Sequence, residues 1–126
     1  MRNDPDPYLV QQVATASKAM LTSMLFNAAV ANTQRAIVQL DDGRPQPARR
    51  FLIRAQEIVL ELRTSLDHDA GGEIAANLER IYDFVYRQLI AASVHGDVRA
   101  AHDAERILAD LRDTWQAACV EGLVTT

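Results

Sequence analysis

Apart from Gly122 near the C-terminus, every proline and glycine falls in one of four short clusters, and this spacing constrains the fold more than any other feature of the chain. The clusters are Asp4-Pro5-Asp6-Pro7, Asp41-Asp42-Gly43-Arg44-Pro45-Gln46-Pro47, Asp67-His68-Asp69-Ala70-Gly71-Gly72 and His95-Gly96-Asp97. They leave four unbroken stretches, Ser17 to Leu40, Ala48 to Leu66, Glu73 to Val94 and Asp97 to Val120. Each is long enough for about five helical turns or more.

The apolar residues in these stretches recur with the helical period rather than the alternation of a strand. In the second stretch Phe51, Leu52, Ala55, Ile58, Val59, Leu62 and Leu66 share a face. The third aligns Ile74, Leu78, Ile81, Val85, Leu89 and Ala92, with Tyr82 beside them. The fourth aligns Ala101, Ala104, Leu108, Leu111, Trp115 and Ala118, opposite Arg99, His102, Arg106, Asp110 and Asp113. Four amphipathic helices on short connections can bury their stripes only against one another, so the expected fold is all-α, an antiparallel four-helix bundle.

End signals agree with these limits. Ser17 and Asp97 are the expected N-caps of the first and fourth helices, and Gly96 suits the left-handed residue closing the third. Asp83 and Arg87 form an expected i,i+4 pair. The reading is one domain over residues 1–126: an N-terminal segment over 1–14, mobile or docked, the bundle over about 15–120, and a short tail.

Helices one and two carry more apolar surface than one core needs. At about 100° per residue, Leu21, Met24 and Ala28 cluster on one side of the first helix, while Phe26, Val30 and Ile37 point nearly opposite. On the second, Ile53 and Leu60 stand in a face otherwise made of Arg49, Gln56, Glu57, Arg63 and Thr64. Scattered surface hydrophobes would account for these, as would cover by the segment around Tyr8, Leu9 and Val10. The functional alternative is a groove for partner helices.

Charge and chemistry narrow the field. With 17 acidic against 13 basic residues and a net charge of −4, a domain that binds nucleic acid through phosphate contacts is a poor fit. Apolar runs such as Ala28 to Ala31 fall far short of the roughly 20 residues that cross a bilayer, and no apolar signal segment follows the start, so a cytoplasmic location without membrane insertion is expected. Cys119 reads as a small buried hydrophobe. The Asp67-to-Glu73 segment begins like a calcium loop, but Leu78 stands where an EF-hand needs an oxygen ligand. His68, His95 and His102 lack zinc spacing, so neither metal nor cofactor is expected. A histidine phosphotransfer bundle remains as an alternative through His102, although Asp103 and Glu105 beside it would repel a phosphoryl group.

The segments also resemble one family as strings, the FliS-type flagellar secretion chaperones. Thr15-Ala16-Ser17, then Leu21, Met24-Leu25-Phe26-Asn27 and Ala29, look like the family's opening pattern. Ala55-Gln56-Glu57-Ile58-Val59 with Glu61-Leu62 follows. The most specific stretch is Ser65-Leu66-Asp67, Gly71-Gly72-Glu73-Ile74-Ala75, Asn77-Leu78, Tyr82-Asp83, Arg87 and Leu89-Ile90. Asp97 and Leu111-Arg112-Asp113-Thr114-Trp115 complete a match over about Pro7 to Ala118. Family members often begin the first helix with Ser-Pro, whereas this chain has Ser17-Lys18, and Lys18 is its only lysine.

That resemblance implies a non-enzymatic cytosolic export chaperone. It would bind the disordered C-terminal segment of flagellin, which turns helical on apolar surface, and so hold off polymerisation before secretion. It leaves room for the export apparatus or a regulatory protein as a second partner, and for a monomer or weak homodimer. Combined with the stripes, it makes Phe26, Val30, Ile37, Ile53 and Leu60 the candidate flagellin-binding residues and Tyr8, Leu9 and Val10 the candidate plug; a generic helical adaptor is the third reading. Incubation with a phosphorylated receiver domain is expected to leave His102 unlabelled, and phosphohistidine found there by mass spectrometry would establish the competing activity.

Overall fold

The computed structural model describes residues 6–122, the side chains of residues 12–16 excepted. The first two residues of the motif Thr15-Ala16-Ser17 are among those side chains, and the Asp4-Pro5 breaker and the tail past Gly122 lie outside the described residues. Four helices follow one another: α1 (Pro7–Asp41), α2 (Pro45–Thr64), α3 (His68–His95) and α4 (Val98–Val120). α1 packs on α2 and α4, and α3 packs on the same two. Cross-helix bonds set the directions: Trp115 to Ser23 and Gln34 to Glu105 between α1 and α4, Gln56 to Leu89 and Arg63 to Glu79 between α2 and α3. In each pair one number rises as the other falls, so neighbours run antiparallel and the expected bundle is the one that forms.

The helix ends follow from local chemistry. The α1–α2 turn is a Schellman closure: Gly43, at φ +71°, donates to the Leu40 carbonyl and Arg44 to that of Gln39. Gly96 closes α3 at φ +64° as expected, and the Asp97 carboxylate accepts from the Ala100 amide at 3.1 Å. Two boundaries differ from the sequence reading. Ser17 caps nothing, because Asp6 accepts from the Tyr8 amide at 2.9 Å, Pro7 occupies the first turn, and no breaker follows before Asp42. α3 starts early as well, capped by Asp67 and broken at Gly72, whose φ of +52° and ψ of −122° suit glycine alone.

The core corrects the assignment of faces. Phe26, Val30 and Ile37, expected on the outer side of α1, are only 3%, 2% and 9% exposed, while Leu21 and Met24 face solvent. The reason is length of pattern. Ala19, Phe26, Val30, Thr33, Ile37 and Leu40 hold one seam along most of α1, whereas the line through Leu21, Met24, Ala28 and Ala31 runs into Arg35. Thr33 stays in the buried seam by donating its hydroxyl to the Ala29 carbonyl at 2.8 Å.

On α3 the expected Ile74 and Ile81 also turn outward. The buried line is Ala75, Leu78, Tyr82, Val85, Leu89 and Ala92, stepping three and four residues in turn. Ile74 and Ile81 each precede that line by one residue and so lie about 100° away from it. The stripe on α2 and the Ala101, Ala104 and Leu108 part of α4 pack as expected. Alanines 29, 36, 48, 55, 92, 101 and 104 are buried between the helices and let the backbones approach closely. Cys119 is half-buried rather than enclosed.

Urea unfolding distinguishes the two kinds of apolar residue. Ile37→Ala is expected to lose about 2 kcal/mol or more, whereas Ile53→Asp is expected to change stability by about 0.5 kcal/mol or less.

Candidate functional site

α1 is longer than the helices that cover it. The Ser23–Trp115 and Gln34–Glu105 pairs put the end of α4 level with about Lys18. Residues 7–17 therefore project beyond the bundle by roughly 16 Å at the rise of an α-helix. Tyr8, Leu9 and Val10 lie exposed on this extension. The sequence reading made them a candidate plug on a segment either mobile or docked; in this structure they are helical and exposed on the extension, because the unbroken helix carries them outward.

Where the extension leaves the bundle, an open pocket of about 410 Å³ lies between the ends of α2 and α4, the first half of α3 and residues 18–26 of α1. Phe26, Leu62, Leu66, Leu78, Leu111 and Trp115 form its apolar walls. The sequence pattern continues the core stripe through Leu66, Leu78 and Leu111, yet these residues are only half-buried. α2 has ended and α3 has kinked at Gly72, so nothing closes over them. Trp115 is fixed as a wall: its indole N–H donates to the Ser23 hydroxyl at 2.8 Å, and its ring lies 6.3 Å from that of Phe26 at 46°.

Polar groups around the pocket are mostly engaged. Thr22 donates to the Lys18 carbonyl at 3.1 Å, Ser65 to the Leu62 carbonyl at 2.8 Å, and Asp67 accepts from Ala70 at 3.0 Å. Tyr82 is the exception within the walls: the residue is 3% exposed, and its hydroxyl holds no bond among the described residues but is open to solvent. Burial pushes its phenol up to about 12, since desolvation disfavours the charged form.

A second apolar strip runs along α2. Ile53 and Leu60, 43% and 40% exposed, flank Gln56, whose amide donates to the Leu89 carbonyl at 3.3 Å. They therefore border α3 on the outside of the bundle; of this the sequence reading expected the exposure and not the neighbour. Beside Leu60, Arg63 bridges Glu79 at 3.0 Å and Asp83 at 3.1 Å, and His68 lies 3.3 Å from Glu79. Asp83 thus pairs across helices with Arg63, not along α3 with Arg87 as expected. These groups are half-exposed, so each pair contributes about 0–1 kcal/mol. Ile74, Ile81 and Phe84 add exposed apolar surface on α3.

The structure brings Phe26 to the pocket from the core side, keeps Ile53 and Leu60 on the outer strip, and leaves Val30 and Ile37 inside the bundle. Lys18, Tyr82 and Trp115 were not singled out from sequence as site residues. The signal for Trp115 was positional, a large aromatic near the end of the α4 stripe where coverage by other helices runs out; Tyr82, inside the α3 stripe, and Lys18 carried none. His102 is exposed on α4, and among the described residues no group of three His, Cys, Asp or Glu is placed to hold a metal ion.

Residues 1–122 match the family described as Flagellar protein FliS. The chain is 33% identical over 105 residues to the Flagellar secretion chaperone FliS of Salmonella typhimurium, covering 82% of this chain and 78% of that one. It is 29% identical over 118 residues to the protein of the same description from Bacillus subtilis, covering 94% and 87%. With the Escherichia coli protein, also described as Flagellar secretion chaperone FliS, it shares 30% identity over 105 residues, covering 82% and 77%.

The buried phenol carries a pH dependence with a definite sign. Its folded value lies above the ordinary value of about 10, so its contribution to stability is complete below about pH 10 and is lost as pH rises through about 12. Melting temperature is expected to fall over that interval, and to fall less in Tyr82→Phe, as followed by circular dichroism.

Proposed function

The chain belongs to the FliS family of flagellar proteins, and from that premise we propose that it is a cytosolic chaperone for flagellin. It binds the client's C-terminal segment as helices and keeps it from polymerising before secretion. The observation that carries this reading is the open apolar pocket walled by Phe26, Leu62 and Trp115, with Ile53 and Leu60 exposed on the neighbouring helix surface. A bundle with a complete core has no use of its own for such surface, and pockets and apolar strips of this kind receive the apolar face of an amphipathic helix.

Binding that folds a disordered segment spends about 2–5 kcal/mol on ordering it. The complex is thereby specific through its apolar contacts and still releasable at the secretion machinery. Flagellin covered in this way cannot offer the same apolar face to another flagellin. The chain acts by binding rather than by chemistry, in keeping with a pocket whose lining holds a single carboxylate, Asp67, and no histidine or cysteine. Among the described residues no helix is long and apolar enough to cross a membrane, which agrees with action in the cytosol. Tyr8, Leu9 and Val10 extend the apolar surface past the pocket, where an incoming helix meets them without displacing them.

Titration with a peptide from the flagellin C-terminus is expected to raise helicity in circular dichroism and to saturate at one peptide per chain. No binding at high micromolar concentration rejects the reading. Ile53→Asp and Leu60→Asp are each expected to weaken binding by about tenfold or more at nearly unchanged melting temperature. If they unfold the bundle instead, these residues belong to its core.

A further inference from the structure

The pocket walls are apolar, yet two strong donors at them hold no bond among the described residues and are left to solvent. The Tyr82 ring is almost wholly buried, while its hydroxyl holds no bond among the described residues and is open to solvent. Lys18 lines the mouth of the same pocket and makes no ion pair there. The other polar groups divide cleanly: Thr22, Ser65 and Asp67 hold bonds within the chain, Trp115 donates to Ser23, and only the exposed Thr114 hydroxyl is also open. A ligand complementary to this arrangement carries an acceptor beside an apolar body and takes the place of water at the two donors.

We propose that this pocket receives the last residue of the client chain, its apolar side chain against Trp115 and its terminal carboxylate held by the Tyr82 hydroxyl and the Lys18 ammonium. This rests on the reading that the client is a C-terminal flagellin segment. A carboxylate accepts from a phenol and an ammonium together, and those bonds are strengthened by charge. A C-terminal residue carries the anion and an apolar side chain on one α-carbon, whereas an internal Asp or Glu spends its side chain on the anion. The rim's one acid, Asp67, has an oxygen engaged by the Ala70 amide at the start of α3, which leaves Lys18 for the ligand. A pocket of about 410 Å³ lies toward the small end of the range for specific ligand sites. That size suits one chain end with its neighbouring apolar contacts rather than a whole helix.

The test uses the full chain and the C-terminal peptide of its cognate flagellin in two forms, free acid and C-terminal amide. Trp115 is the only tryptophan, so its emission reports occupancy of the pocket, with calorimetry for affinity. The amide is expected to bind about tenfold more weakly than the free acid. Tyr82→Phe and Lys18→Met are each expected to bring that ratio toward one, weakening the free acid more than the amide. Phenylalanine keeps the ring at 82, and a melting curve verifies that both variants fold. Equal affinity for the two peptides overturns the anchor and leaves the flagellin reading standing; a ratio unchanged in both variants overturns the roles of Tyr82 and Lys18. Binding of neither form overturns both readings.

Discussion

A helix in a four-helix bundle can bury one face, and α1 carries apolar residues on two. The seam through Phe26, Val30, Thr33 and Ile37 goes inward, and the buried alanines of α2 and α4 let it pack closely. Once that seam is fixed, Ser23 comes to Trp115 and Gln34 to Glu105, which sets how far α1 runs past α4. The pocket is a consequence of this register. Had Leu21 and Met24 faced the core, Arg35 would have followed them inward, and a buried guanidinium without a partner is far more costly than two exposed aliphatic side chains.

At the open end, stability and function pull in different directions. Leu66, Leu78 and Leu111 continue the core pattern but stay half-buried, because α2 stops at Thr64 and Gly72 kinks the start of α3. A better-closed bundle would bury them and gain hydrophobic stabilisation. This one keeps an apolar hollow with a rigid Trp115 wall and a phenol held in its protonated form by burial. Sites of this kind sit where a fold leaves its own surface uncovered.

Ile53 and Leu60 are exposed for a different reason. They interrupt a polar face of α2, so their exposure requires no gap in the bundle, only the absence of a fifth helix. The Arg63 bridge to Glu79 and Asp83 lies beside Leu60 and adds little to stability, being half-exposed. Its geometric effect is larger, since it ties the last turn of α2 to α3 next to the pocket.

Sequence alone determined the helices, their order, the antiparallel bundle, the caps at Asp97 and Gly96, and the presence of apolar surplus on α1 and α2. Breakers, capping residues and helical periodicity are local signals, and short connections leave neighbours little choice of direction. It also marked Ile53 and Leu60, because an apolar residue within a charged face is visible without knowing any contact. The tertiary structure decided which of two faces of α1 is core, turned Ile74 and Ile81 outward, carried Tyr8, Leu9 and Val10 away from the bundle, and gathered Lys18, Tyr82 and Trp115 at one pocket. Those outcomes depend on where neighbouring helices begin and end and on a kink at one glycine, and a periodic pattern read on a single helix contains neither.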